Sequence, residues 1–359
     1  MSSKDIDKLR REIDAVDDEL VAALDRRAAL AQKIGVLKAG APAYRPERES
    51  QVLRRVARAD SGPLPAEGRA AIFREIISAC RALEEPLRVA YLGPAGTFSE
   101  MAVLEQFGRS VEAIASASID EAFRAAETGA AQFAVVPVEN STEGAVGRSL
   151  DLLLATRLRI CAEIALRVRQ NLMRKGRGPK SGLRGVKRVY SHPQSLGQCQ
   201  KWLAQNLPGA ERIAVASNAE AARLASREKA ACAIGPRLAA ARYGLEVIAS
   251  DIEDEANNRT RFVVLGNLEP GPSGRDGTSI VMSAPNRPGA VHALLEPFAR
   301  HGVSMSRLES RPTRVGKWEY YFYVDLEGHR SDAPVAAALA ELEKLAPFLK
   351  ILGSYPLAR

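Results

Sequence analysis

One apolar seam runs down the first forty residues and dictates a helix that cannot stand alone. Ile6, Leu9, Ile13, Val16, Leu20 and Leu24 recur at steps of three and four, the spacing of one face of a long amphipathic helix. The same steps continue onto Arg27, Ala31, Ile34 and Lys38. A cation on a core seam is costly unless an anion meets it. Arg27 and Lys38 are about 11 residues apart and so share a face, ~16 Å apart along the axis. This predicts a slot for a small polyanion between packed helices; snorkelling of both side chains to solvent is the alternative. A seam of roughly five turns also wants a partner helix, and a homodimer exchanging long helices supplies one. Arg10 fits that arrangement. It lies ~17 residues before Arg27, rotated roughly 100° off the slot face, so it reaches only the equivalent slot of a second subunit.

A chain of 359 residues calls for more than one core. Residues 1–85 read as helical throughout, at 4–39, 45–59 and 65–83, with turn signals at 40–42 and 61–65. From Pro86, short β-rich runs at 88–92, 133–138, 186–190, 230–234 and 261–265 alternate with helical segments. That alternation predicts an α/β domain over 86–266, two lobes around a cleft. After a Pro- and Gly-rich linker, residues 277–357 read strand, helix, strand, strand, helix, strand, the ferredoxin-like order.

The net charge of +8 raises nucleic-acid binding as a function, but its distribution argues against it. Ten basic and no acidic residues fall between Arg167 and Lys201, around a Gly-rich run with no interleaved aromatic platform. We read that run as a solvated loop. No apolar run approaches the length of a membrane span, and the N-terminus is neither a signal nor a transit peptide. Cys80, Cys161, Cys199 and Cys232 are scattered without metal-ligand spacing, which predicts a reduced, cytoplasmic protein with no metal.

Four polar clusters sit where predicted strands meet loops, the usual place for α/β ligand sites. Gly93-Pro-Ala-Gly-Thr-Phe-Ser99 enters a helix, and Thr97 to Glu100 has capping-box spacing. Backbone N–H groups at such a turn suit a carboxylate. Asn140, Ser141 and Thr142 follow the second strand. Ser191-His-Pro-Gln194 and Asn258-Arg-Thr-Arg-Phe262 supply the others. For Asn140–Thr142 the alternative is a polar turn capping the next helix, and for Gly93–Ser99 a turn of a kind many α/β proteins have with no ligand. No Ser-His-Asp set, metal quartet or dinucleotide fingerprint is present.

On these motifs the chain resembles the bifunctional chorismate mutase–prephenate dehydratases over nearly its whole length. Gly93–Ser99, Val138-Glu-Asn-Ser141, Ser191–Gln194 and Thr260-Arg-Phe262 look like dehydratase motifs. Pro288-Gly-Ala290 and Glu309-Ser-Arg-Pro312 look like those of an ACT regulatory domain. The resemblance implies an all-α mutase domain that intertwines as a dimer, a dehydratase domain like the periplasmic binding proteins, and an α+β ACT domain. It implies chorismate bound by Arg27, Lys38, Arg48, Glu49, Cys80, Glu84 and the second subunit's Arg10, with Arg27, Lys38 and Glu84 catalytic. Glu84 stands where a glutamine can donate to the ether oxygen, so it must carry a proton to do the same; Cys80 stands where a serine is common. Prephenate would meet Thr97, Asn140, Ser141, Thr142, Ser191, Gln194, Thr260, Arg261 and Phe262, with Thr260 as proton donor. Phenylalanine, as feedback inhibitor, would meet Asn286, Pro288, Gly289, Ala290, Leu294, Glu309, Ser310 and Arg311. No cofactor, nucleic acid or membrane is implied, and growth of the dimer to a tetramer is left open. Two other readings stay open: a dehydratase whose mutase block is weakened at Cys80 and Glu84, and a non-catalytic amino-acid sensor.

Overall fold

The computed structural model describes residues 3–38, 42–59, 62–176, 182–285, 287–312 and 320–358. Two compact units emerge, Met1–Leu87 with Phe107–Glu112, and Arg88–Gln106 with Ala113–Arg359. The first is built on α1 (Ser3–Leu37), α2 (Pro46–Arg58) and α3 (Ala66–Ala82). Pro46 opens α2, where a missing N–H costs nothing. Helix α1 buries no residue within the chain. Its seam from Ile6 to Leu24 is 40–59% exposed, far more apolar surface than a lone helix keeps in water.

The second unit opens with β1 (Arg88–Leu92), α4 (Phe98–Phe107), β2 (Glu112–Ser116), α5 (Ile119–Glu127), β3 (Phe133–Asn140), β4 (Gly144–Ala145), α6 (Gly147–Ala155) and β5 (Arg159–Arg167). The chain then crosses to a second lobe, β6 (Asn171–Lys175), β7 (Arg188–Ser191), α7 (Pro193–Gln198), α8 (Gln200–Asn206), β8 (Glu211–Ala214), α9 (Asn218–Ala225), β9 (Ala231–Gly235), α10 (Arg237–Tyr243) and β10 (Leu245–Ala249). It returns through β11 (Arg259–Gly266). The first lobe's sheet runs β2-β1-β3-β11-β5, and the second lobe's β10-β6-β9-β7-β8. The two lobes expected from the alternating pattern are therefore present. Phe133–Val138 of β3, all of β9 and Phe262–Gly266 of β11 are continuous apolar runs because both faces of each are covered.

The last region comprises β12 (Asp276–Ser283), α11 (Ala290–Arg300), β13 (Met305–Pro312), β14 (Tyr320–Glu327), α12 (Ala333–Leu345) and β15 (Phe348–Pro356), with sheet order β13-β14-β12-β15. This is the ferredoxin-like sandwich. One core joins it to the first lobe: Val281, Tyr323, Leu352 and Tyr355 pack with Ala134, Leu150 and Val263. The approach is so close that a Cβ on Gly353 would lie 2.2 Å from the Ile160 carbonyl oxygen. The sandwich also grips α6. Tyr323 donates to the Leu150 carbonyl at 2.8 Å, and Lys350 Nζ donates to the carbonyls of Leu153, Leu154 and Thr156 at 2.6–2.9 Å.

Much of the basic segment is not solvated loop. Residues 177–181 lie outside the described residues, but Arg174 and Arg188 belong to strands. Arg169 pairs with Asp251 at 3.0 Å and Arg188 with Glu228 at 2.5 Å, so part of the cationic excess is neutralised within the fold.

Candidate active sites

Steps of three and four along α1, α2 and α3 converge on one pocket of about 490 Å³ in the helical unit. Its wall includes six of the expected side chains, Arg27, Lys38, Arg48, Glu49, Cys80 and Glu84. Arg27 and Lys38 are half-buried there. Arg45, Arg55 and Arg81 add three more cations. Arg10 stays outside, its side chain 73% exposed beside Asp7 at 3.4 Å.

Arg81 is the residue that sequence reasoning missed. It is buried, donates to Glu49 Oε1 at 2.5 Å and to the Phe107 carbonyl at 2.7 Å, and lies over the Tyr44 ring. The signal is in the spacing, since Ile77 and Arg81 are four residues apart on one face of α3 and Glu84 follows in the turn after it. Burial raises the Glu49 pKa above the ordinary carboxylate range, although Arg81 and Arg27 pull it down. One oxygen of Glu49 is thereby committed to Arg81 rather than to a ligand. The pocket is strongly cationic and suits a dianion whose reaction needs charge stabilisation.

In the second unit, β3 and β11 are antiparallel neighbours that set Asn140 opposite Thr260. Asn140 Nδ2 donates to Thr260 Oγ1 at 2.9 Å and to Asn258 Oδ1 at 2.9 Å. Its Oδ1 accepts from the Thr142 hydroxyl at 2.6 Å and from the N–H groups of Thr142 and Glu143. This fixes the amide orientation. Ser141 Oγ accepts from the Arg259 N–H at 3.0 Å. From the second lobe, Gln198 Nε2 reaches Thr142 Oγ1 at 3.5 Å, and Gln170 Nε2 holds Ser195 Oγ and Gln198 Oε1. Gln170 Oε1, Asn171 Oδ1 and Asn258 Nδ2 are buried and lack a partner among the described residues. Sequence reasoning missed Gln170, Ser195 and Gln198, and quoted Asn258 without a role. Only the fold brings them together.

Several expectations need correction. Arg261 turns away from Thr260, because neighbouring side chains on a strand point to opposite faces; it donates to Glu163 Oε2 at 2.7 Å and to Tyr355 Oη at 3.0 Å. Phe262 is wholly buried and packs rather than lines. Ser191 is also buried, donating to the Ile234 carbonyl and accepting from Asn218 Nδ2, so it braces the second lobe. Gln194 is half-buried at the start of α7, its N–H on His192 Nδ1. Thr97 Oγ1 lies 3.4 Å from the Leu92 carbonyl. The expected cradle loses one donor, since Glu100 reaches back to the Gly96 N–H at 2.5 Å. Arg242 of α10 clamps the same carboxylate from the second lobe, Nε to Oε2 at 3.0 Å. Gly96 has φ +92° and faces the Tyr243 ring, so a side chain there would be strained and crowded.

Among the regulatory candidates, Asn286 lies outside the described residues. Pro288 and Gly289 are exposed at the left-handed turn into α11. Ala290 and Leu294 are corrected to packing residues, both buried. On the edge strand β13, Ser310 is exposed and Glu309 half-buried. Arg311 is engaged by Asp151 of α6, Nε to Oδ1 at 3.0 Å.

The geometry agrees with what comparison finds. The chain matches the prephenate dehydratase family over residues 89–270, chorismate mutase type II over 9–85 and the ACT domain over 278–344. It is 50% identical over 362 residues to the bifunctional chorismate mutase/prephenate dehydratase of Neisseria gonorrhoeae, covering 99% of each chain. Against the bifunctional enzyme of Pseudomonas aeruginosa it is 45% identical, covering 98% of this chain and 97% of the relative. Among solved structures, prephenate dehydratase from Arthrobacter aurescens in complex with L-Phe aligns with TM-score 0.69 at 35% identity, over 76% of this chain and 90% of that one. Three family matches in order and near-complete coverage by two-activity relatives place the chain in the bifunctional chorismate mutase/prephenate dehydratase family, with an ACT domain.

Proposed function

We propose that the helical pocket rearranges chorismate to prephenate and that the Asn140–Thr260 pair converts prephenate to phenylpyruvate. The hydrogen bond from Asn140 Nδ2 into Thr260 Oγ1 carries the second assignment. Because the oxygen accepts from Asn140, its own proton is free to go to the departing ring hydroxyl. The carbon–carboxylate bond breaks, its electron pair completes the aromatic ring, and the hydroxyl leaves as water with the Thr260 proton, which solvent replaces. Asn140, Thr142 and Gln198 would surround the reacting ring, and water exclusion would favour loss of the carboxylate charge.

In the first pocket, Arg27, Lys38 and Arg48 would hold the two carboxylates, with Lys38 also facing the ether oxygen. Glu84, on the same pocket wall, would face that oxygen. The bare α1 seam supports a second copy covering it, and Arg10 of that copy would complete the site. Phenylalanine would bind at the turn 287–290 and strand β13, favouring a less active state by its differential affinity for the two states.

Mixing two inactive variants tests the shared site. Arg10→Ala and Lys38→Ala chains, co-refolded in equal amounts, should regain about a quarter of wild-type mutase activity, because half the dimers are mixed and each has one intact site. A mixture no more active than its components would overturn the exchanged arrangement.

A further inference from the structure

Asn140 and Thr260 have neighbours on the opposite face of the same two strands. Glu139 and Arg261 are also directly opposed in the β3–β11 register. Strand pleating sends them away from the first pair, and there they meet the ferredoxin-like sandwich. Arg261 Nη1 donates to Asp325 Oδ2 of β14, and its Nη2 donates to Tyr355 Oη of β15 at 3.0 Å. Arg307 Nε of β13 lies 3.0 Å from Glu139 Oε2, an ion pair that is not aligned as a hydrogen bond. Ser279 Oγ donates to Asp325 Oδ1 and lies 2.6 Å from Tyr355 Oη, while Glu163 of β5 takes the Arg261 Nε. Side chains of Arg261, Glu163, Asp325 and Arg307 are each less than 20% exposed, whereas Glu139 is 37% exposed.

We propose that Glu139 and Arg261 are positioning residues for the dehydratase reaction, held by Arg307 and Asp325 so that the sandwich sets how Asn140 meets Thr260. The proposal rests on the assignment of Thr260 above. The Arg261–Asp325 hydrogen bond is buried, directional and costly to unpair, and together with the Arg307–Glu139 ion pair it forms a clasp that resists sliding of β11 against β3. Sliding is the motion at issue, because the register of these strands shifts between Arg261 and Phe262, and bulges re-aim the side chains beside them. A displacement of about 1 Å at a reacting group costs on the order of a hundredfold in rate. Any ligand that moves β13 or β14 would act on Thr260 through these two pairs, without touching the cleft.

The test uses the full chain carrying Arg307→Gln, Asp325→Asn or Tyr355→Phe, with Arg307→Lys as the conservative control. Prephenate kinetics and chorismate turnover are measured on the same preparations. For Arg307→Gln and Asp325→Asn, the dehydratase kcat should fall about tenfold, with KM within about twofold and mutase turnover kept. Tyr355→Phe, which keeps the ring and removes only the hydroxyl, should show a smaller fall in kcat. Arg307→Lys should recover most of the loss. Wild-type kcat in both Arg307→Gln and Tyr355→Phe, with a lowered melting temperature alone, would overturn the proposal. Thr260→Ala with undiminished dehydratase activity would instead overturn the site assignment. An inactive Thr260→Ala beside fully active clasp variants would overturn the positioning role only.

Discussion

Thr260 and Arg261 show how little of a motif's meaning lies in its contiguity. As a string, Thr260-Arg-Phe262 reads as one patch; as a pleated strand, it divides into a cleft hydroxyl, a buried clasp and a core ring. Residue types were legible, but their facing required the register with β3. The same holds for Glu49, whose partner Arg81 comes from another helix 32 positions on. Burial raises the Glu49 pKa in the fold. The folded state therefore holds this proton more tightly than the unfolded one, so its contribution to stability is present below the ordinary carboxylate range and is lost as pH rises through the raised value. Subtracting the pH–stability curve of Glu49→Gln from that of the wild type should leave a difference that falls with rising pH. A flat or rising difference in thermal unfolding between pH 4 and 8 would contradict it.

At the scale of elements, periodicity was the dependable guide. The three helices, the ferredoxin-like order and the alternating α/β pattern were all legible because each depends on spacing within a short window. Long-range grips were not, since nothing near α6 announces that β15 will cap it. Lys350 donates to three carbonyls at the end of α6, and burial lowers its pKa. Replacing Lys350 with Met keeps the stem and leaves those carbonyls without their donor, which should cost about 1–3 kcal/mol. Urea unfolding read by circular dichroism checks this; an unchanged midpoint would show that the grip adds no stability. Helix α6 begins a few residues after Thr142, so loosening its far end should also reduce dehydratase more than mutase turnover.

Over the whole molecule, two reactions with different needs draw on different parts of the fold. The pericyclic step needs cations around a dianion, and the helical unit supplies six on one pocket wall. The elimination needs an oriented proton donor, and in the proposed assignment the Asn140–Thr260 hydrogen bond of the two-lobed unit provides it. Cys80 and Glu84 lie on the mutase pocket wall beside Arg27 and Lys38, so the departures at these positions leave the site's cations in place. The decisive measurement feeds chorismate to full-length Thr260→Ala and Lys38→Ala and follows both products by absorbance. Thr260→Ala should consume chorismate at near the wild-type rate and stop at prephenate. Lys38→Ala should leave chorismate untouched yet convert added prephenate to phenylpyruvate. Loss of both activities together in either variant, or phenylpyruvate formation by Thr260→Ala at the wild-type rate, would contradict the division of chemistry between the two sites.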